Sequence, residues 1–275
     1  MKRAAIMIAM LGVSAWGFSE GNVKPGAESA PVGQATAAPA GKRPPQAETQ
    51  PEYDTYRATV AMTDAAAQEK AANDFAAKFT DSELRPGIFK AVMYSYQKAN
   101  NADKMMEAAR KILTYDADDP EALLGVAQVL TERTNDTDLN KDERRAEARR
   151  DAQRSLVTVD TDVPTAGQTQ EKLDAYKSFV RSEAYFVLGS LDFAKAAWAD
   201  AEGNLRKSLD ALPQDPDPVA IFRLSVALDM QSKYPEALKY ANRAVELTKA
   251  GTNAGDAARS EQDRLMKVTG ANAAR

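Results

Sequence analysis

Asp136, Asp138, Asn140 and Asp142 stand at alternate positions in NDTDLNKDERRAEARR, and Glu147 follows. Oxygen donors at that spacing, closed by a glutamate, are what a calcium-binding loop presents. Two positions break the pattern. Lys141 stands where the loop needs glycine for its sharp turn, and Glu143 where an apolar anchor belongs. The other reading is a polar loop in which Asp and Asn cap helix ends. Which applies depends on the elements that flank the run.

Other chemistry is restricted by composition. The sequence has no Cys and no His, so it offers no thiolate, no disulfide, no zinc-finger ligand set and no histidine base. No Gly-rich phosphate loop is present, because GNLRKS lacks the spacing and falls in a helical pattern. No Gly-x-Ser-x-Gly elbow occurs. No catalytic residues and no cofactor are expected, and the chain reads as a protein without enzymatic activity. The net charge is −4, so a nucleic-acid partner is not expected. Arg144, Arg145, Arg149, Arg150 and Arg154 cluster, but Glu143, Glu147 and Asp151 are interspersed. They read as a solvated helix face with near-neighbour ion pairs.

The 275 residues divide by composition. Residues 1–19 read as a signal peptide, with Lys2 and Arg3 ahead of an apolar run. That run is short of the ~20 residues that span a bilayer, although an N-terminal membrane anchor is the rival reading. A periplasmic or secreted protein without a transmembrane domain in its mature chain is therefore expected. Residues 20–58 are rich in Pro, Ala, Gly and Gln and read as a disordered tether.

From 59 to 270 the apolar residues recur every three or four positions, as in amphipathic helices. Helix pairs with short turns recur near 86–119, 120–160, 182–216 and 218–250, with capping helices near 62–79 and 253–268. One copy has Tyr185, Leu188 and Gly189, then Trp198, Ala201, Leu205, Ser208 and Pro213. Another has Ile221, Leu224, Ser225 and Leu228, then Ala237, Ala241 and Ala244. A third has Phe89, Val92, Met93 and Tyr96, then Met105, Ala109 and Ile112. The acidic run falls in the enlarged hairpin turn of the copy opened by Leu123, Val126, Ala127 and Leu130.

These copies resemble tetratricopeptide repeats, whose period is about 34 residues. The departures are Met93 and Met105 at small positions, Asp192 at an aromatic one, and Lys249 in place of the closing proline. The resemblance implies an all-α fold, a right-handed superhelical solenoid of antiparallel helix pairs. It further implies a scaffold that binds a peptide or partner protein on its concave face. Carried onto this sequence, the partner-binding residues are Lys90, Tyr94, Gln97, Phe186, Phe193, Phe222 and Asp229. The family's clamp for a free C-terminus is not reproduced, since Tyr94 stands where Asn is expected. A second reading is a structural spacer or self-associating stalk without a peptide ligand. The oligomeric state is left open by the sequence.

Overall fold

A computed structural model describes residues 42–270, and all of its regular elements there are helices. They are α1 (Gln50–Val60), α2 (Ala65–Lys78), α3 (Arg85–Lys98), α4 (Ala102–Leu113), α5 (Pro120–Arg133) and α6 (Lys141–Thr161). The series continues with α7 (Gln170–Ala194), α8 (Trp198–Ala211), α9 (Pro218–Asp229), α10 (Tyr234–Leu247) and α11 (Asn253–Thr269). The fold of the described residues is all-α and built of packed helix hairpins. The leader expected over 1–19 lies outside the described residues. Among the described residues no helix is long and apolar enough to cross a membrane.

The hairpin turns repeat one geometry. Asn100, Ala196 and Ser232 follow α3, α7 and α9, and all three have positive φ, at 56°, 55° and 60°. In each turn the next residue donates back five positions: Asn101 to Tyr96, Ala197 to Asp192, and Lys233 to Leu228, at 2.9–3.0 Å. The positive-φ residue donates back three positions, to Gln97, Phe193 and Asp229. This paired bond pattern satisfies the last carbonyls of a helix and reverses the chain at once. None of the three is glycine, and a Cβ in the left-handed region costs roughly 1–2 kcal/mol. Ala196→Gly is expected to stabilise the protein by about 1 kcal/mol. Urea unfolding followed by circular dichroism reads it, and an unchanged or lower midpoint contradicts it.

The chain forms two compact units, one of 42–129 with 154–177, the other of 130–153 with 178–270. In the first unit α3 packs on α4 and on α2, and α1 packs on α2 and α3. Ile88, Val92, Ala109 and Ile112 are fully buried at the α3–α4 seam. Met93 and Met105, the large residues at small positions, flank Gly125. A Cβ there would lie 3.3 Å from Met93 Sδ and 3.4 Å from Met105 Cε. Small and large have exchanged places across the seam, which keeps the packing dense.

In the second unit α9 packs on α8 and α10, and α10 packs on α11. Gly189 and Leu205 are in close approach, since a Cβ on Gly189 would lie 2.8 Å from Leu205 Cγ. Ser225 and Ser182 donate to the carbonyls of Ala237 and Ser208, each at 2.8 Å. Buried hydroxyls at small positions thus satisfy themselves on the adjacent helix. Asp192, the departure from the aromatic pattern, is buried and accepts from Arg149 at 2.5 Å and Asn204 at 2.7 Å.

Two expectations change. The stretch read as tether is ordered from residue 42 onward: Ala47 is fully buried and α1 begins at Gln50. Thr49 and Glu52 form a capping box, and Tyr53 and Tyr56, three apart, bury one face of the helix. Two aromatic residues supply the apolar area that the composition of the whole stretch conceals. The arginine cluster also differs. Arg149 reaches Asp192 and Arg154 reaches Asp118, on other helices or loops, so tertiary pairs are formed in place of a purely solvated face.

Glu202 on α8 gathers Lys233 at 2.6 Å, Gln231 at 2.8 Å and Arg206 at 2.9 Å. Burial pushes its carboxyl up, but the bonds from Lys233, Arg206 and Gln231 outweigh that and hold it below the usual range. A depressed folded-state pKa gives stability that is present above the unfolded value and lost as pH falls toward the folded one. Glu202→Gln is therefore expected to flatten the acid limb of the stability profile below about pH 4.5, the carboxyl's ordinary value. An acid limb identical to that of the parent protein would contradict this.

Candidate functional site

In the first unit, α3 turns Gly87, Lys90 and Tyr94 to one side, at helical spacings of three and four. These line a cavity of about 530 Å³. Tyr56 of α1, Tyr115 and Asp116 after α4, Asp162 to Pro164 after α6, and Tyr176 of α7 complete the walls, with Lys42 to Pro45 along one side.

At one wall sits a nearly buried charge cluster. Lys90 Nζ lies 2.7 Å from Asp119 Oδ2 and 3.1 Å from Glu121 Oε1. Tyr176 donates its hydroxyl to Glu121 Oε1 at 3.0 Å. Asp119 also caps α5, accepting from the N–H groups of Glu121 at 3.0 Å and Ala122 at 2.9 Å. Burial alone would lower the Lys90 pKa, but the charges of Asp119 and Glu121 overcome it and raise it. Burial pushes the Tyr176 hydroxyl well up, and Glu121 adds to that. Burial likewise raises Tyr56. Lys90 is thus a fixed cation, and the two phenols are fixed neutral dipoles. Such groups orient and bind; they do not exchange protons near neutral pH.

Opposite charges also meet at the edge of the cavity. Lys42 pairs with Asp116 and, at 3.0 Å, with Asp162. The Asp162 carboxyl is raised by burial and by the Asp116 charge, against the pull of Lys42. Arg43 makes a forked pair with Glu83, one arm at 2.8 Å. Arg85 stacks 4.6 Å above the Tyr115 ring, and its Nε donates to the Ser82 carbonyl at 3.0 Å. The Tyr94 hydroxyl is buried with no hydrogen-bond partner among the described residues.

The second unit holds a different arrangement. Phe186, Ser190 and Phe193 share one face of α7. Over that face lies Arg223 of α9, its guanidinium 5.2 Å from the Phe186 ring and 6.0 Å from the Phe193 ring. Arg223 donates to the Ser190 hydroxyl, which in turn donates to the Phe186 carbonyl at 2.6 Å. Trp198 meets Phe193 edge-on at 5.2 Å. Burial lowers the Arg223 pKa, offset only in part by the charge of Glu132. Arg223 forms no ion pair among the described residues.

The partner residues expected from sequence are therefore distributed. Lys90 and Tyr94 meet in the cavity, while Gln97, one turn further along α3, is buried. Phe186 and Phe193 meet around Arg223. Phe222 turns instead to the cluster of Ile221, Ala244 and Ala258. Asp229 is paired with Arg264. Arg223 itself is the residue that sequence reasoning misses, and its signal is a single cation within the apolar stretch IFRLSVAL.

The acidic run is engaged by its own neighbours. Asp136 pairs with Arg145 at 2.8 Å, and Lys141 donates to the Asp136 carbonyl at 2.7 Å. Asp138 accepts from the Asn135 N–H at 2.9 Å. Because α6 begins at Lys141, Asp142 and Glu147 are helical and do not wrap around a centre shared with Asn140. Asp142 and Glu143 instead lie in the first turn of α6, where acids favour the helix dipole. Among the described residues no group of three or more acidic side chains is placed to hold a metal ion.

No protein-family model matches the sequence, and no curated protein matches it. Among solved structures it is similar to the "Crystal structure of MamA", at 14% identity and a TM-score of 0.41, over 66% of this chain and 97% of that one. It is also similar to the "Assembly Chaperone of RpL4 (Acl4)", at 13% identity and a TM-score of 0.41, over 81% of this chain and 98% of that one. Neither likeness says what this chain binds.

Proposed function

We propose that the chain is an exported protein-interaction module that receives a carboxylate-bearing segment of a partner on the Phe186–Ser190–Phe193 face of α7. The observation that carries this reading is Arg223. A guanidinium held among aromatic rings, with no carboxylate paired to it among the described residues, has its desolvation only partly offset by the charge of Glu132. A carboxylate from a partner would complete it as a forked pair, and the flanking rings would shield that pair from water. Aromatic residues and Arg are the side chains on which interface energy concentrates. Export rests on the charged and apolar pattern of residues 1–19.

Selection of a random-peptide library against the full chain tests this. Enriched peptides should share an acidic residue or terminal carboxylate beside apolar ones, and should lose binding to Arg223→Met. Failure to enrich any acidic peptide, or enrichment indifferent to Arg223→Met, would remove the reading. Fractionation of the source cells tests export separately.

A further inference from the structure

We infer that the cavity of the first unit is a second binding site, for an extended, basic, proline-containing segment of a partner protein. Residues 42–46, Lys-Arg-Pro-Pro-Gln, hold its acidic side in cis until such a segment displaces them. This inference rests on the first unit alone and is independent of Arg223.

Three features support it. First, the strap is already seated as a ligand would be. Lys42 bridges Asp116 and Asp162 from two separate loops, and Arg43 and the Gln46 N–H both engage Glu83, the latter at 3.0 Å. Lys42 also forms a parallel backbone bridge with Pro164. Second, the strap's cations are open to solvent while the acids they hold are mostly covered: the Lys42 and Arg43 side chains are 39% and 60% exposed, against 16% and 18% for Asp116 and Asp162. Third, the strap does not fill the space. About 530 Å³ remains beside Pro44 and Pro45, walled by Tyr56, Tyr94, Tyr115 and Tyr176. Tyrosine walls with nearby acids are the surface on which proline-containing extended segments dock.

The probe is a fluorescent peptide with the strap's own sequence, KRPPQAET, added to the full chain and followed by anisotropy. A tethered competitor acts at an effective concentration on the order of millimolar. Lys42→Gln with Arg43→Gln should therefore bind the peptide about tenfold more tightly than the parent. Asp116→Asn with Asp162→Asn should weaken it at least tenfold, and Arg223→Met should leave it unchanged. One readout needs no variant. Excess peptide should speed amide exchange at 43–48 in the parent chain while α3 stays protected. The inference is overturned if neither form binds. It is equally overturned if a peptide with Gln for Lys and Arg binds as well, or if exchange at 43–48 does not change on binding. Loss of binding in Arg223→Met would place the peptide in the second unit. A dimer formed by exchange of straps between copies would replace the foreign partner with a second copy. Either result also overturns it.

Discussion

Lys90→Met is expected to destabilise the first unit by about 3–5 kcal/mol. Lys90 is 13% exposed, and its partners Asp119 and Glu121 are 7% and 2% exposed. Removing the cation leaves two nearly buried carboxylates, with the Tyr176 hydroxyl and the α5 N–H groups as their remaining donors among the described residues. The loss is the cost of the orphaned anions, not the worth of the ion pair itself. A second variant separates the two. Lys90→Met combined with Asp119→Asn and Glu121→Gln removes all three charges and keeps the donors supplied. Asn caps a helix as Asp does, and the Gln carbonyl accepts from Tyr176. The triple variant should regain all but about 1–2 kcal/mol of the loss. Urea denaturation read by circular dichroism decides the matter. A single variant within about 1 kcal/mol of the parent would mean that water reaches these carboxylates, and Lys90 would not be a fixed cation in the cavity wall.

The parts visible in sequence are those governed by local spacing. The apolar periodicity of IFRLSVALDM and EALKYANRAVEL places α9 and α10 directly, because a helix buries one stripe whatever it packs against. The small residues at Gly189, Ser208 and Ser225 mark the close approaches for the same reason. What the sequence conceals is set by residues far apart in the chain. The cavity joins Tyr56, Lys90, Asp119, Asp162 and Tyr176, whose separations follow no helical period. Its tyrosines read as ordinary core residues until the walls are assembled. The composition of 20–58 averages two different stretches, and the capping box at Thr49 and Glu52 is the local signal within the second. The oxygen spacing at 136–147 suggests a ligand set only while the run is read as loop. Once Lys141 opens a helix, the same acids serve helix termini and arginines.

Arg223→Met is expected to do the opposite of Lys90→Met: little to stability and much to binding. Both residues carry cations removed from bulk water, but Lys90 is paired with two carboxylates of its own chain and Arg223 with none among the described residues. Losing Arg223 therefore strands no anion. The variant gives up the ring contacts with Phe186 and Phe193 and the bond to Ser190, and it gains relief from desolvation. Methionine fills the same space between the two rings, so the net change should stay within about 1 kcal/mol. For a bound carboxylate the balance reverses, because its desolvation then goes uncompensated. Truncating one side of such a buried pair typically costs about 2 kcal/mol or more, a drop in affinity of roughly thirtyfold or greater. Arg223→Lys should recover only part of it, since an ammonium keeps the charge but not the planar fork or the stacking on the rings. Calorimetric titration with an acidic peptide from the library selection, alongside urea unfolding of the same variants, reads both quantities. Equal affinity in the parent and in Arg223→Met would show that the aromatic face holds its guanidinium for packing alone. A loss of affinity that merely tracked a loss of folded protein would show the same.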